Sequence, residues 1–264
     1  MIDLHTHHQR CGHAAGTLRE VADWATSRGI AVLGFADHAP RFADARDHPR
    51  PGIQMARSQW DDYLREADGL RTELAGRLDL RVGVEADWIP GTETVYREAL
   101  DRSELDFVLG SVHEVGEWHI YQPHTFENAD TDAFHRGYWQ GVAAAAGSGL
   151  FDVLAHLDAI RIMVPSAQAD LSREREAALD AIADAGIAVE INGSGLRRDG
   201  RLFPDDALLA GLVRRGVPLS FGSDAHAAGH LGVGWREAGA ALARLGVRHL
   251  ITFKRREPVW WPLG

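Results

Sequence analysis

The sequence predicts an α/β fold, a barrel of parallel strands, on the basis of three observations. Short apolar runs rich in β-branched residues recur along the 264-residue chain and alternate with longer segments of helical periodicity. The runs are almost continuously apolar, as in parallel strands that are buried on both faces. Polar residues of similar chemistry follow the strands, and a closed barrel would gather them at one rim, whereas an open doubly wound sheet satisfies only the first two observations. We therefore predict one α/β barrel domain over residues 1–264.

The individual elements follow from these runs in chain order. Strands are predicted at 1–5, 30–36, 79–85, 106–112, 151–155, 187–192 and 217–222, and a weaker candidate at 247–253 leaves room for an eighth. Helices are predicted over 16–29, 173–186 and 204–216. The first helix has a capping box at Thr17 and Glu20, and Gly29 is its expected stop. The polar segments 41–52 and 116–130 are candidate lids over a site.

The charge balance limits the classes of partner. The chain has 28 basic and 38 acidic residues and a net charge of −10. Broad nucleic-acid binding needs a basic surface, so we expect no nucleic-acid partner. A phosphorylated substrate would also be repelled unless local cations reverse the field at the site.

The single cysteine, Cys11, excludes an internal disulfide framework and favours a cytoplasmic location. No apolar run approaches the roughly 20 residues that span a bilayer. The N-terminus lacks a basic segment followed by an apolar one, so we expect no signal peptide. A cytoplasmic protein without a membrane partner is the resulting expectation.

Candidate metal ligands follow the predicted strands. A lone His or Asp after a strand is more often a turn residue or a satisfied polar group, but here the pattern recurs at strand after strand. Imidazole nitrogens and carboxylates are the usual ligands of zinc, iron and manganese. In chain order the candidates are His5, His7, His13, His38, Glu85, His113, His156, Asp224 and His226, and the sixth strand ends instead at the amide Asn192.

The number of candidates indicates more than one ion. A single zinc takes about four ligands, so nine candidates suit two or three ions, with Glu85 or a water as a bridge. The remaining histidines have simpler interpretations. His8 alternates with His7 and should point away from it, and Cys11 is interpreted as a small packed residue. His119 and His124 could contact a substrate, and the role of His230 is open.

The motifs resemble those of a known family. "DLHTHH", "CGH", "FADH", "GVEADWIPG", "GSVH", "LAHLDAIR", "EINGSGLR" and "FGSDAH" occur in this order over essentially the whole chain. Together they resemble the polymerase-and-histidinol-phosphatase (PHP) superfamily and, more narrowly, its histidinol-phosphatase branch. The resemblance implies a distorted (β/α)7 barrel, similar to a TIM barrel, with up to three divalent metal ions (zinc, iron or manganese).

The resemblance also implies how the ligands divide among the ions. His5, His7, Glu85 and Asp224 would hold the first ion; Glu85, His113 and His156 the second; His13, His38 and His226 the third. Arg161 and Arg197 would bind the substrate phosphate, and a guanidinium suits that task because it offers paired donors. Arg198 is the neighbour that could replace Arg197.

The activity implied is hydrolysis of L-histidinol phosphate to L-histidinol and phosphate, a step of histidine biosynthesis. A metal-bound hydroxide would attack phosphorus in line, and a separate general acid is not identified. The alternative is another phosphoesterase of the superfamily that acts on nucleotides or on a different small phosphomonoester. An amidohydrolase would need a bridging lysine, but Lys254, the only lysine, follows every strand-end motif. A non-enzymatic metal-binding protein is the third class, and the complete ligand set argues against it.

Overall fold

A seven-stranded parallel sheet forms the centre of the molecule in the computed structural model, which describes residues 1–121 and 130–263. The strands adjoin in the order β1-β2-β3-β4-β7-β8-β9, and each pair is parallel. They are β1 (Ile2–Asp3), β2 (Val32–Phe35), β3 (Asp79–Asp87), β4 (Phe107–Ser111), β7 (Val153–Leu154), β8 (Ala188–Asn192) and β9 (Leu219–Gly222). All seven predicted barrel strands are confirmed.

The sheet curls so that its first and last strands meet. The backbone nitrogen of Leu4 donates to the carbonyl oxygen of Phe221 at 3.0 Å, and Thr6 forms a parallel bridge with Ala225. Helices cover the outside of this nearly closed barrel, as parallel strands buried on both faces require. The α/β barrel predicted from the sequence is therefore confirmed.

The helices of the described residues are α1 (Leu18–Ser27), α2 (Trp60–Glu73), α3 (Glu93–Asp101), α4 (Thr131–Gly147), α5 (Ile160–Met163), α6 (Ser172–Ala185), α7 (Asp206–Arg214) and α8 (Trp235–Arg244). In α1 the buried residues recur at helical spacing, and Thr17 and Glu20 form both hydrogen bonds of the predicted capping box. Helices were also predicted at 173–186 and 204–216, where α6 and α7 occur. None of the helices in the described ranges is long and apolar enough to cross a membrane.

The weaker candidate at 247–253 is a strand, but not an eighth barrel strand. It forms β10 (His249–Lys254), which pairs antiparallel with β11 (Glu257–Pro262). Arg255 and Arg256 both have positive φ angles, 52° and 65°, so the chain turns back at once. The backbone of this turn binds Asp106, just before β4, and the ribbon is thereby attached at the end of the barrel opposite the predicted site.

A second antiparallel ribbon, β5 (Glu114–Val115) with β6 (Trp118–His119), follows β4. This ribbon contains the first residues of the candidate lid 116–130, and most of that lid lies outside the described residues. Ion pairs connect the other candidate lid, 41–52, to this ribbon. Arg41 forms a two-point ion pair with Glu114, and Arg50 also binds the same carboxylate.

Candidate metal centre

The structure brings all nine predicted ligands into one cluster at the carboxyl ends of the barrel strands. Six of the seven sheet strands contribute from their ends or from the loops after them, all except β8: β1 contributes His5 and His7, the loop after it His13, β2 His38, β3 Glu85, β4 His113, β7 His156, and β9 Asp224 and His226. Parallel strands deliver these side chains to one rim because their carboxyl ends all face the same way. As metal ligands the nine residues remain predictions.

Glu85 occupies the middle of this cluster and is 2% exposed. Its carboxylate oxygens lie 3.0 Å from Nδ1 of His38 and 3.0 Å from Nε2 of His156. The Nε2 atoms of three further imidazoles are 3.4 to 3.7 Å away, those of His5, His7 and His113. One carboxylate thus faces five imidazoles, which suits the bridging position predicted for Glu85.

Asp224 is the second carboxylate at the rim. Its Oδ1 lies 3.3 Å from His7 Nε2 and 3.3 Å from His226 Nδ1, and 3.9 Å from His5 Nε2. Its backbone φ of 52° is left-handed, as is that of His156 at 24°. Such conformations cost a non-glycine residue roughly 1–3 kcal/mol each and cluster at functional sites. Two of the nine predicted ligands therefore have strained backbones.

The facing charges set the protonation of the cluster. Burial opposes ionisation of Glu85, but His38 and His5 outweigh it and hold the pKa of Glu85 well below its usual range. Burial likewise opposes ionisation of Asp224, and His5 leads the groups that hold its pKa well below the usual range. Both carboxylates are therefore ionised ligand candidates at neutral pH.

His13 and His226 provide the observation that best tests whether metal ions fit. Their Nδ1 atoms face backbone carbonyl oxygens, of Cys11 at 3.4 Å and Asp224 at 3.0 Å, so each Nδ1 must carry the hydrogen. Burial is the leading cause that lowers the pKa of both rings, in His226 to about 3, which keeps them neutral. Two bare Nε2 lone pairs then face each other at 2.9 Å.

Opposed lone pairs at this distance repel unless a cation lies between or beside them. The buried Nε2 atoms of His5 and His7 also find no hydrogen-bond partner among residues 1–121 and 130–263. Unpaired buried polar atoms are costly, whereas a metal ion would use all of these lone pairs. The donor set therefore fits divalent metal ions.

A cavity of about 590 Å³ opens over the cluster. This size is typical of small-molecule sites. It is lined by His13, His38, Gly52, Ile53, Glu85, His113, His119, Tyr121, His156, Arg197, Arg198, Asp224, His226 and His230. The end of the candidate lid 41–52 thus borders the cavity at Gly52.

Arg197 and Arg198 are the cations at this cavity. The Arg197 guanidinium donates to the carbonyl oxygens of Ser223 and Asp224 at 3.2 and 3.1 Å, which holds it beside a predicted ligand. The Arg198 guanidinium lies over the Tyr121 ring at 5.2 Å from its centroid. Both guanidinium groups are therefore available at the mouth of the site.

Arg161 is placed differently from what the resemblance implies. Its guanidinium forms ion pairs with Asp158 and Asp199, donates to the carbonyl oxygen of Leu202 at 2.8 Å and lies over the Phe203 ring. It is not among the described residues that line the cavity. Its role in phosphate binding stays a prediction, which this placement does not favour.

Four other histidines and Cys11 were considered near the predicted site. His119 and His230 line the cavity, whereas His124 lies outside the described residues. His8 points away from the cluster, as expected, stacks on Tyr63 with ring centroids 5.4 Å apart and lies beside Asp37. Cys11 is buried and donates its thiol hydrogen to the carbonyl oxygen of His8, which fits a packed residue.

Sequence reasoning missed three buried carboxylates at the site, Asp37, Asp87 and Glu190. Two of them sit in strands two residues from a residue already singled out: Asp87 from Glu85, and Glu190 from Asn192. Alternation along a strand places such pairs on one face, so this spacing was the available signal. Asn192, at the end of β8, binds Glu190 and the backbone of Ser194 rather than facing the cluster.

Comparison with known proteins agrees with this geometry. The model of the PHP domain family matches residues 3–194. The chain belongs to the PHP domain family. It is 36% identical to a probable histidinol-phosphatase of Deinococcus radiodurans over 97% of this chain and 98% of that protein. It is 28% identical to a histidinol-phosphatase of Bacillus subtilis over 87% and 95%, respectively.

The fold has a solved counterpart as well. A histidinol phosphate phosphatase from Lactococcus lactis, crystallised with zinc, L-histidinol and phosphate, superimposes with a TM-score of 0.81. The two chains are 20% identical, and the match covers 98% of each. The chain thus belongs to the histidinol-phosphatase branch of the PHP superfamily, and the distorted seven-stranded barrel predicted from the resemblance is confirmed.

Proposed function

We propose that this chain is a metal-dependent phosphate monoester hydrolase that converts L-histidinol phosphate and water into L-histidinol and phosphate. The observation that carries the metal-dependent chemistry is the pair of opposed Nε2 atoms of His13 and His226 above the buried carboxylate Glu85. The substrate rests on the full-length similarity to a probable histidinol-phosphatase.

The ions would be held by three groups of ligands, and the first two groups share Glu85. His5, His7, Glu85 and Asp224 would hold the first; Glu85, His113 and His156 the second; His13, His38 and His226 the third. Zinc, iron and manganese all accept such nitrogen and oxygen ligands. Bound ions would supply positive charge for the phosphoryl oxygens and would lower the pKa of a water molecule towards neutrality.

This chain's own residues would position the substrate. Arg197 is the candidate for the phosphate, because its guanidinium is held at the cavity by two carbonyl oxygens beside Asp224. Arg198 is the second candidate, and its cation–π contact leaves its donors free of any ion pair among the described residues. His119 and Tyr121 line the same cavity and would contact the organic part of the substrate.

His119 suits contact with a polar ring such as imidazole. Burial, followed by the nearby His113, lowers the pKa of His119 to about 4, so the ring is neutral at pH 7. Its Nδ1 accepts a hydrogen bond from the Tyr121 backbone, which leaves the hydrogen on Nε2. That Nε2 is buried without a partner in the described residues and could donate to a substrate nitrogen.

The proposal also covers the domain organisation, the cellular location and the class of substrate. We propose that residues 1–264 act as one domain, because a single apolar cluster runs from Ile2 to Phe253. A cytoplasmic location is proposed from the single cysteine, which is buried and free. A small phosphorylated substrate rather than a nucleic acid is proposed from the net charge of −10.

The decisive experiment measures phosphate release by metal-loaded protein. We expect kcat/KM for L-histidinol phosphate to exceed that for p-nitrophenyl phosphate and for a nucleoside monophosphate by at least about 100-fold, since two extra polar contacts are each worth about a factor of ten. Equal values for the three substrates would contradict the substrate assignment. Preference for the nucleotide would favour the alternative phosphoesterase.

A matched set of arginine variants tests the phosphate site. Arg197→Ala is expected to raise KM at least about tenfold, because a charge-assisted hydrogen bond is worth about 1.5–3 kcal/mol. Arg198→Ala and Arg161→Ala serve as comparisons at and away from the cavity. An unchanged KM in Arg197→Ala, with a raised KM in Arg161→Ala, would reverse the assignment.

A further inference from the structure

Three buried carboxylates outside the predicted ligand set each contact the Nδ1 atom of a predicted metal ligand. Glu190 Oε1 lies 2.8 Å from Nδ1 of His5, and Asp87 Oδ1 lies 2.8 Å from Nδ1 of His113. Asp37 Oδ1 lies 3.2 Å from Nδ1 of His7. All three carboxylates are at most 5% exposed, so water does not compete for these contacts.

Each contact determines which ring nitrogen is available to a metal ion. An ionised carboxylate only accepts hydrogen bonds, so the Nδ1 atom that faces it carries the hydrogen, and in the neutral ring Nε2 is the nitrogen left for a metal ion. The Nε2 atoms of His5 and His113 lie 3.4 and 3.7 Å from Glu85, and Nε2 of His7 lies 3.3 Å from Asp224. The three carboxylates therefore orient three lone pairs towards the middle of the cluster.

The carboxylates are themselves held in place. Glu190 Oε2 accepts from the Asn192 amide at 2.8 Å and from the backbone nitrogen of His156 at 3.0 Å. Asp87 Oδ2 accepts from the amide of Gln54 at 2.7 Å. Glu190 thus connects the ring of His5 with the strained backbone of His156, two residues assigned to different ions.

Asp37 is held by two backbone groups. Its Oδ2 accepts from the nitrogen of Cys11 at 3.1 Å, and its Oδ1 from that of His38 at 3.0 Å. It also lies 3.2 Å from the ring of His8. The carboxylate therefore joins the loop after β1 to the end of β2, and the ring of His7 is oriented against a fixed partner.

His226 has a carboxylate partner as well. Its Nδ1 lies 3.3 Å from Oδ1 of Asp224 and 3.0 Å from the carbonyl oxygen of the same residue. Nδ1 of His13 instead faces the carbonyl oxygen of Cys11 at 3.4 Å. A carboxylate partner raises the basicity of an imidazole ligand more than a carbonyl does, since it stabilises charge transferred to the ring. His13 is therefore expected to be a weaker ligand than the three rings that face buried carboxylates.

We propose that Asp37, Asp87 and Glu190 are positioning residues that fix the metal-facing tautomer of His7, His113 and His5. This inference rests on the proposed metal-dependent function, because the ligand groups come from it. It adds positioning residues that the function itself does not specify.

The test measures zinc affinity of the metal-depleted full chain by competition with a chromogenic chelator. Glu190→Gln, Asp87→Asn and Asp37→Asn are each expected to weaken zinc binding about 10- to 100-fold at one site. The matched control is Asp106→Asn, which alters a buried carboxylate that accepts from the backbone of Val82 and Arg255 at the opposite end of the barrel. Its zinc affinity is expected to stay at the wild-type value.

A second readout does not depend on metal or activity. Long-range ¹⁵N NMR of the metal-depleted wild type, recorded at a pH at which the rings are neutral, should show His5, His7 and His113 as Nδ1–H tautomers. Each carboxylate variant should return its partner ring to a mixture of tautomers. Asp87→Asn also has a matched comparison for local disturbance. Gln54→Ala removes the other side-chain donor to Asp87 but leaves the carboxylate in place.

The outcomes distinguish failure of the positioning role from failure of the proposed metal-dependent function. Wild-type zinc affinity in all three carboxylate variants, or an equal loss in Asp106→Asn, would overturn the positioning role. If Glu190→Gln does not fold, the result for Asp87→Asn decides by the same criterion. A wild-type chain that binds no zinc, iron or manganese would instead refute the proposed function.

Discussion

Replacement of Gly12 by alanine probes the loop that carries His13. Gly12 has a φ of 84°, and a methyl group there would lie 2.7 Å from Cα and 3.0 Å from the backbone nitrogen of Gly52. Favourable carbon–carbon contacts begin at about 3.5 Å, so one loop must move by about 1 Å. Both neighbours are backbone, and no side-chain rotation can relieve the contact.

The expected cost combines two physical effects. The left-handed conformation costs a residue with a Cβ atom about 1–2 kcal/mol, and overpacking against Gly52 adds about 1–3 kcal/mol. Gly12→Ala should therefore lower the free energy of unfolding by about 2–5 kcal/mol. The displacement should also weaken the ion assigned to His13, because ligands must hold their geometry closely.

Urea unfolding of the metal-depleted protein measures the stability, and elemental analysis measures zinc per chain. Gly52→Ala is the matched control: its φ is 79°, but a methyl group there meets nothing within 4 Å, so only the conformational cost applies. Gly69→Ala, in open space on α2, should stabilise the protein by about 0.5–1 kcal/mol. If Gly12→Ala is no less stable than Gly52→Ala, the close approach of the two loops is refuted.

Three further predictions concern metal content, pH and thiol reactivity. His13→Ala should lose about one metal ion per chain, whereas His249→Ala, at an exposed ring, should lose none; equal metal content would contradict the ligand assignment. Burial raises the pKa of Asp152 despite the nearby Arg256, so the folded state keeps a proton that the unfolded chain loses above about pH 4. The stability advantage of wild type over Asp152→Asn in urea unfolding should therefore shrink as the pH rises above about 4, and an advantage that grows with pH would contradict the raised pKa. Burial raises the pKa of the Cys11 thiol as well, so Ellman's reagent should react only after urea unfolding; rapid reaction of the native protein would show that Cys11 is accessible.

The ligand positions could be predicted because they depend on a local rule. A buried parallel strand is an apolar run, and the first polar residue after it lies at the rim wherever the strand sits in the sheet. His38, His113 and His156 follow this rule, and each faces Glu85 in the structure. No knowledge of the tertiary packing was needed to find them.

The residues around the ligands depend on packing between distant segments, which a single sequence does not reveal. Arg161 follows the same motif as His156, but the chain forms a short helix there, and Asp158 and Asp199 bind its guanidinium. The Arg255–Arg256 turn lacks the Asn-Gly or Asp-Gly pair typical of its conformation, so the reversal after β10 left no local signal. The roles of Asp37, Asp87 and Glu190 follow from the histidine rings that lie opposite them.

Barrel closure has a consequence for the order of folding events. His5 and His7 follow the first strand, and Asp224 and His226 follow the last, so the first ion site requires contacts between the two ends of the sheet. Contacts this distant in sequence form slowly, because loop closure must precede them. We expect metal uptake to follow closure rather than to nucleate it. The rate of zinc uptake during refolding would then report the rate at which β1 and β9 come into contact. A nascent chain without β9 would bind less metal than the full chain.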